Sequence, residues 1–365
     1  MANYSDYLKW RGDISFEVDG VNEVDGAILS VISYFTFGQE LEGGIKVTLK
    51  EAAKAYLHRT RYETVKTKIT LLIEKLLKDT IRTKRFGNLV MSDYADYFDR
   101  ELRVQFGAVT FEISEDVHFV AFRGTDDTVA GWAEDFDLCY KMPVPSQIEA
   151  EKYLADIMDK YPGKIYVGGH SKGGNLAIYS SFRQSVKARS RISGIYNYDG
   201  PGFLPGVMES QDYLSIVNKI HTFMPRESVV GMVMFHGEKY NIVQSDDKGI
   251  NQHQPVNWNV MGTKFVYCNE FKKKSLLFNS MCNKWLTEID EHKREMFIQA
   301  VFAIVDADMK GTFTEMSADW FTTARNTFKS YKNLDKDTKS MIRETIRQMG
   351  RLSKDSIKEK IHKTN

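Results

Sequence analysis

Lys164-Ile165-Tyr166-Val167-Gly168-Gly169-His170-Ser171-Lys172-Gly173-Gly174-Asn175-Leu176-Ala177 is the stretch whose reading decides the fold. A short β-branched and aromatic run leads into Gly-His-Ser-Lys-Gly, and a helical pattern follows. A G-x-S-x-G between a strand and a helix is the setting of a nucleophile elbow. The reason is steric. A serine on so tight a turn takes an unfavourable backbone conformation, and its neighbours two residues away must lack bulk. Gly169 and Gly173 meet that need from either side. The turn then lifts the Ser171 hydroxyl clear of the sheet, above a helix N-terminus. The plainer reading of the same residues is a glycine-rich turn whose serine caps the helix.

Working outward, residues 85–270 alternate strand and helix signals. Phe106 to Ile113 and Val117 to Phe122 read as paired strands, and Val144 to Lys160 as a helix. Strand 164–168, helix 173–188, strand 192–198, a helix near 208–217 and strand 219–224 follow. Such alternation predicts an α/β fold with a mostly parallel sheet and helices on both faces. In such sheets ligands bind at the carboxyl ends of the strands, where Ser171 falls. Residues 1–84 read as a mainly helical extension, a lid or packing element. Residues 271–365 read as a helical region, with Trp285, Ile289, Met296, Phe297, Ala300 and Ile304 on one face. Leu334 to Ile361 forms a basic amphipathic pattern. Such a pattern suits peripheral contact with an anionic membrane, or more simply a solvated helix.

Composition narrows the function classes. The 365 residues are 42% hydrophobic and 27% charged, with a net charge of +1. That balance gives no electrostatic case for nucleic acid. The opening Met1-Ala2-Asn3-Tyr4-Ser5-Asp6 has no basic segment followed by an apolar one, so no secretory signal is expected. No segment reads as a bilayer span. Cys139, Cys268 and Cys282 are widely spaced and odd in number, which suggests reduced core residues rather than disulfides or zinc ligands. The expectation is a cytoplasmic protein. Asp306-Ala307-Asp308-Met309-Lys310-Gly311 opens like a calcium loop, but Lys310 and Ser317 stand where carboxylates are needed. No metal or cofactor is expected.

A serine nucleophile needs a base, a group to orient that base, and donors for the oxyanion. Of the eight histidines, His253 lies in a turn-rich loop after Asn241-Ile242-Val243 and can reach back over the sheet. His236 is the weaker choice, and His170 inside the elbow points away from the serine. Two carboxylates follow strand ends. Asp199 begins Asp-Gly-Pro-Gly-Phe, and Glu227 lies in Met-Pro-Arg-Glu-Ser. An aspartate before Gly-Pro is also a common turn former. The oxyanion donors would be the amides of Lys172 and Thr125, the latter in the turn after Phe119-Val120-Ala121-Phe122-Arg123-Gly124.

Phe122-Arg123-Gly124-Thr125, then Trp132 and Asp135, then the Gly-His-Ser run, resemble the fungal-type (class three) lipases of the α/β-hydrolase fold over about the middle half of the chain. A closer similarity is to a bacterial family of lipase-like proteins catalogued as a domain of unknown function. It is carried by Tyr7-Leu8-Lys9-Trp10-Arg11-Gly12-Asp13, Gln105-Phe106-Gly107-Ala108-Val109-Thr110, Gly169-His170-Ser171-Lys172-Gly173-Gly174-Asn175, Asp199-Gly200-Pro201-Gly202-Phe203 and Gln252-His253. These motifs span most of the first 260 residues. The resemblance implies an α/β-hydrolase core with Ser171 as nucleophile and His253 as base, acting on a small-molecule or lipid ester. One departure stands out. Fungal-type lipases carry an aspartate after the strand matching 219–224, and Pro225-Arg226-Glu227-Ser228 has none. Asp199 is therefore the preferred acid, because Asp-Gly-Pro-Gly-Phe is a fixed motif of the closer family, and Glu227 is the alternative.

Overall fold

The apolar residues before the elbow form β5 (Lys164–His170), the middle strand of a nine-stranded sheet. The computed structural model describes residues 1–41, 45–61, 67–99, 104–126 and 134–308, with isolated positions between 336 and 347. Before β5 come β1 (Val47–Thr48), β2 (Val90–Asp99), β3 (Val104–Ser114) and β4 (Val117–Phe122). After it come β6 (Ile192–Tyr198), β7 (Ile220–Pro225) and β8 (Tyr240–Val243). β9 (Val260–Met261) and β10 (Lys264–Phe265) make a separate ribbon, and β11 (Tyr267–Cys268) closes the far edge of the large sheet.

The sheet is mixed. Strands β4 to β8 are parallel, whereas β1 to β4 and the β8–β11 pair are antiparallel. The expectation of a mostly parallel sheet therefore holds for the central block only. Connection length is the cause. Glu115 and Asp116 alone join β3 to β4, and so short a link forces antiparallel pairing. Strand β2 was not read from the sequence. It contains Asp93, Asp96 and Asp99, and its register slips between Ser92 and Ala95, so no clean alternation exists to find.

Helices cover both faces. The N-terminal region supplies α1 (Tyr4–Arg11), α2 (Glu23–Ile32), α3 (Gly38–Leu41), α4 (Leu49–Arg59), α5 (Lys68–Thr80) and α6 (Lys84–Gly87). The crossovers supply α7 (Pro145–Lys160), α8 (Lys172–Arg183) and α9 (Val186–Arg191). The helix expected near 208–217 shortens to α10 (Gln211–Leu214). Alternate residues of each strand face opposite layers. Phe119, Ala121, Tyr196, Tyr198 and Phe223 pack with α1 and α2. Val120, Phe122, Ile165, Val167 and Ile195 pack with α7 and α8.

Every residue of α2 from Val24 to Ile32 is buried. Val24, Ile28, Leu29 and Ile32 each contribute roughly 1.5–3 kcal/mol by leaving water. The helix starts at Asn22, whose side chain caps the Val24 and Asp25 amides. Asp25 is fully buried and binds Arg85 (Nε to Oδ1, 2.8 Å) and the Tyr7 hydroxyl (2.6 Å). The remaining Arg85 donors reach the carbonyls of Ile14, Asp19 and Gly20. This satisfied ion pair ties the first helices to the entrance of β2.

The C-terminal helices α11 (Lys273–Glu288) and α12 (Glu291–Asp308) pack Trp285, Leu286, Ile289 and Ile298 on Leu138, Val144 and Met234. A break at Ile289 and Asp290 interrupts the single face read from the sequence and leaves Met296 exposed. The basic segment 334–361 lies almost wholly outside the described residues. Among the described residues no helix is long and apolar enough to cross a membrane.

Candidate active site

Ser171 ends β5 and begins α8 with φ 58° and ψ −133°. A non-glycine residue held there stores roughly 1–3 kcal/mol of strain. The glycines do what the sequence pattern requires. A Cβ on Gly169 would sit far inside contact distance of the Gly173 backbone, and one on Gly173 would strike the Phe122 carbonyl. The Ser171 amide is anchored on the Tyr198 carbonyl at 3.0 Å. Its side chain makes no capping bond to α8, so the helix-cap role is not filled.

Asp199 leaves β6 with φ 53°, fully buried, its amide on the Phe223 carbonyl. Its Oδ1 accepts from the Ser228 hydroxyl (2.6 Å) and the Gly231 amide (3.2 Å). Its Oδ2 lies 2.7 Å from His253 Nδ1. A carboxylate only accepts, so Nδ1 carries the proton and Nε2 is left as the basic nitrogen. The structure thus brings together Asp199 and His253, 54 residues apart. Glu227 goes elsewhere. It accepts from the Gly249 amide (3.2 Å) and from Gln252 Nε2 (3.4 Å), bracing the turn that carries His253 without touching its imidazole. His236 pairs with Glu238 (2.9 Å) and donates to the Gly231 carbonyl. Burial alone would raise the Glu238 carboxyl; the His236 ring and the Thr222 and Tyr213 hydroxyls outweigh it and hold the group at about 2.

His170 packs against His253. Its Nε2 donates to the His253 carbonyl at 2.7 Å, and its ring packs on the His253 ring with centroids 4.4 Å apart. Its Nδ1 faces the Tyr34 hydroxyl at 3.0 Å. Burial, reinforced by His253, pushes the His170 imidazole well below its ordinary range, so it stays neutral.

The Arg123-Gly124-Thr125 turn lies against the elbow. A Cβ on Gly124 would come within 3.1 Å of Ser171 Cβ. The Thr125 hydroxyl donates to Asp135, with both carboxylate oxygens at 2.7 Å. Among the described residues, the amides of Thr125 and Lys172 bond no acceptor. Trp132 lies outside the described residues. Beneath the turn, Lys172 Nζ is wholly buried and meets Glu134 at 2.9 Å. The sequence reading used only the Lys172 amide and passed over Tyr34 and Glu134. One signal was present. A lysine at the first helical position opposes the helix dipole, so it needs a carboxylate partner nearby.

A family model described as Mbeg1-like matches residues 80–303, more than half of the chain. The chain belongs to the Mbeg1-like family. The matched stretch of this Mbeg1-like chain holds Thr125, Lys172, Ser171, Asp199 and His253, whereas Tyr34 comes from the helices before it. A search of curated protein sequences returns no match. Among solved structures, the chain is similar to the Rhizomucor miehei lipase propeptide complex (16% identity, TM-score 0.33), covering 42% of this chain and 57% of that one. It is similar to M37 lipase at 19% identity and TM-score 0.33, covering 51% and 69%. The chain thus spans little more than half the length of the Rhizomucor miehei lipase chain. Among the described residues of the Mbeg1-like chain no cluster of three or more His, Cys, Asp or Glu could hold a metal ion.

Proposed function

We propose that this Mbeg1-like protein is a serine hydrolase of lipase or esterase type on an α/β-hydrolase core. The observation that carries the reading is the 2.7 Å Asp199–His253 bond beside a serine held at φ 58°. Ser171 Oγ attacks the carbonyl carbon of a carboxylic ester while His253 Nε2 takes its proton. Asp199 holds the imidazole in the reactive tautomer and stabilises the imidazolium. The Lys172 and Thr125 amides donate to the oxyanion. The imidazolium then protonates the departing alkoxide, which leaves an acyl group on Ser171. Water, deprotonated by His253, attacks that acyl carbon, and the imidazolium returns the proton to Ser171 Oγ as the bond to serine breaks and the acid leaves.

One observation favours a second reading, an inert hydrolase-fold binding protein. Among the described residues, no hydrogen bond joins Ser171 Oγ to His253 Nε2. Ligand-free triads often show this, and the contact forms in the substrate complex. Labelling with a fluorophosphonate probe, with turnover of a panel of acyl esters, separates the two. The hydrolase reading expects both in the native protein and neither in Ser171→Ala. An unlabelled native protein with no turnover would leave the binding reading in possession. Thioesters and peptides belong on the same panel, since the serine chemistry is shared.

A further inference from the structure

Lys172 is the one member of the elbow whose side chain runs down, beneath the site. Its ammonium is fully buried and makes three contacts: Glu134 Oε2 at 2.9 Å, the Gln105 carbonyl at 3.0 Å and Asp135 Oδ1 at 3.6 Å. Asp135 and Gln105 are tied directly to the turn that carries Thr125, and Glu134 is tied to it through Gln105. Asp135 accepts the Thr125 hydroxyl. The Gln105 amide donates to Glu134 Oε2 at 3.2 Å, and Gln105 Oε1 accepts the Asp126 amide at 3.1 Å. Glu134 Oε1 is held in turn by the Ser146 amide at 2.7 Å. The bonds therefore close a ring that runs from Lys172 through Asp135 to Thr125, and back from Asp126 through Gln105 to Lys172.

We infer that Lys172 is a positioning residue for both oxyanion donors. Its own amide is one donor, and its ammonium fixes the Thr125–Asp126 turn that presents the other. The inference rests on the serine-hydrolase reading and adds to it a dependence of one donor on the other. Donors act only when they lie about 2.7–3.1 Å from the oxygen that becomes charged. A loosened turn should therefore slow the chemical step and leave substrate binding alone.

The test compares kcat and KM for an activated short-chain ester across four variants, with Ser171→Ala as reference. Lys172→Met should lower kcat about 10- to 100-fold with KM within about threefold. Removing the cation leaves Glu134 buried without a counter-charge, so this variant is at risk of misfolding. Lys172→Met/Glu134→Gln removes the charge pair at nearly constant volume, and the same loss of kcat is expected in it. Thr125→Val deletes the hydroxyl that anchors the turn to Asp135. If Lys172 works through Thr125, the Lys172→Met/Thr125→Val losses fall short of multiplying. A folded Lys172→Met/Glu134→Gln protein with kcat within twofold of native overturns the inference. So do losses that multiply in full. A native protein with no Ser171-dependent turnover instead removes the parent reading, and the inference falls with it on a different measurement.

Discussion

Replacing Asp199 by asparagine probes the candidate site with one atom changed. The carboxylate has unequal sides. Oδ1 already accepts from two donors, the Ser228 hydroxyl and the Gly231 amide, and Oδ2 accepts from His253 Nδ1. An asparagine must place its oxygen toward the two donors and its NH2 toward the imidazole. Nδ1 then becomes the acceptor, and the ring proton moves to Nε2. An Nε2 that carries a proton cannot take one from Ser171. In serine proteases the same tautomer reversal lowers kcat on the order of 10⁴-fold, or about 5 kcal/mol in the barrier. The buried site keeps its volume and its Oδ1 bonds, so the fold should survive. Steady-state hydrolysis of an activated ester, with circular dichroism as the check on folding, reads the effect. Glu227→Gln is the contrast. Glu227 only braces the His253 turn, and kcat should fall by less than about tenfold. A folded Asp199→Asn protein within tenfold of native kcat, with Glu227→Gln down a thousandfold, would refute the argument and move the acid to Glu227.

Three further outcomes follow from the structure. Gly169→Ala drives a methyl into the Gly173 backbone, which cannot rotate away, and should lower stability by about 3 kcal/mol in thermal melts. Arg85→Met strands Asp25 in a fully buried site and should cost about 3–5 kcal/mol by denaturant titration. The Asp135 carboxyl is pushed up to about 6 by burial, with Lys172 and Thr125 opposing, from 3.8. A raised group stabilises the native state fully below its unfolded value and loses that contribution as pH rises through its folded value. The stability of the native protein relative to Asp135→Asn should therefore drop by up to about 3 kcal/mol between about pH 4 and pH 7, measured by urea unfolding.

What the sequence made legible was local. β4 falls where Val117 to Phe122 predicted it, and β6 where 192–198 did, because short runs rich in β-branched and aromatic residues favour strands. The elbow was legible because its glycines answer a steric demand visible in five residues. Strand β2 was hidden by its aspartates, of which Asp93 is satisfied by Lys160 and Tyr161 and Asp96 by Arg123, all from farther along the chain. The choice between Asp199 and Glu227 could not be made locally. Both follow strand ends, and only the path of the 249–253 turn determines which of them meets the imidazole. The Lys172 ammonium was unreadable for a related reason. Its partners come from residues 105, 134 and 135, and only sheet pairing brings them under the elbow.

The burial of α2 sets an order of events during synthesis. Its apolar face is completed by Phe119, Tyr196, Tyr198 and Phe223, and the Ala2 carbonyl waits for the Val260 amide. At about 5–20 residues per second, β6 leaves the ribosome roughly 10–30 s after α2. For that interval the first helices have no sheet to cover. Until those strands arrive, the apolar face of α2 stays open to any other apolar surface that it meets.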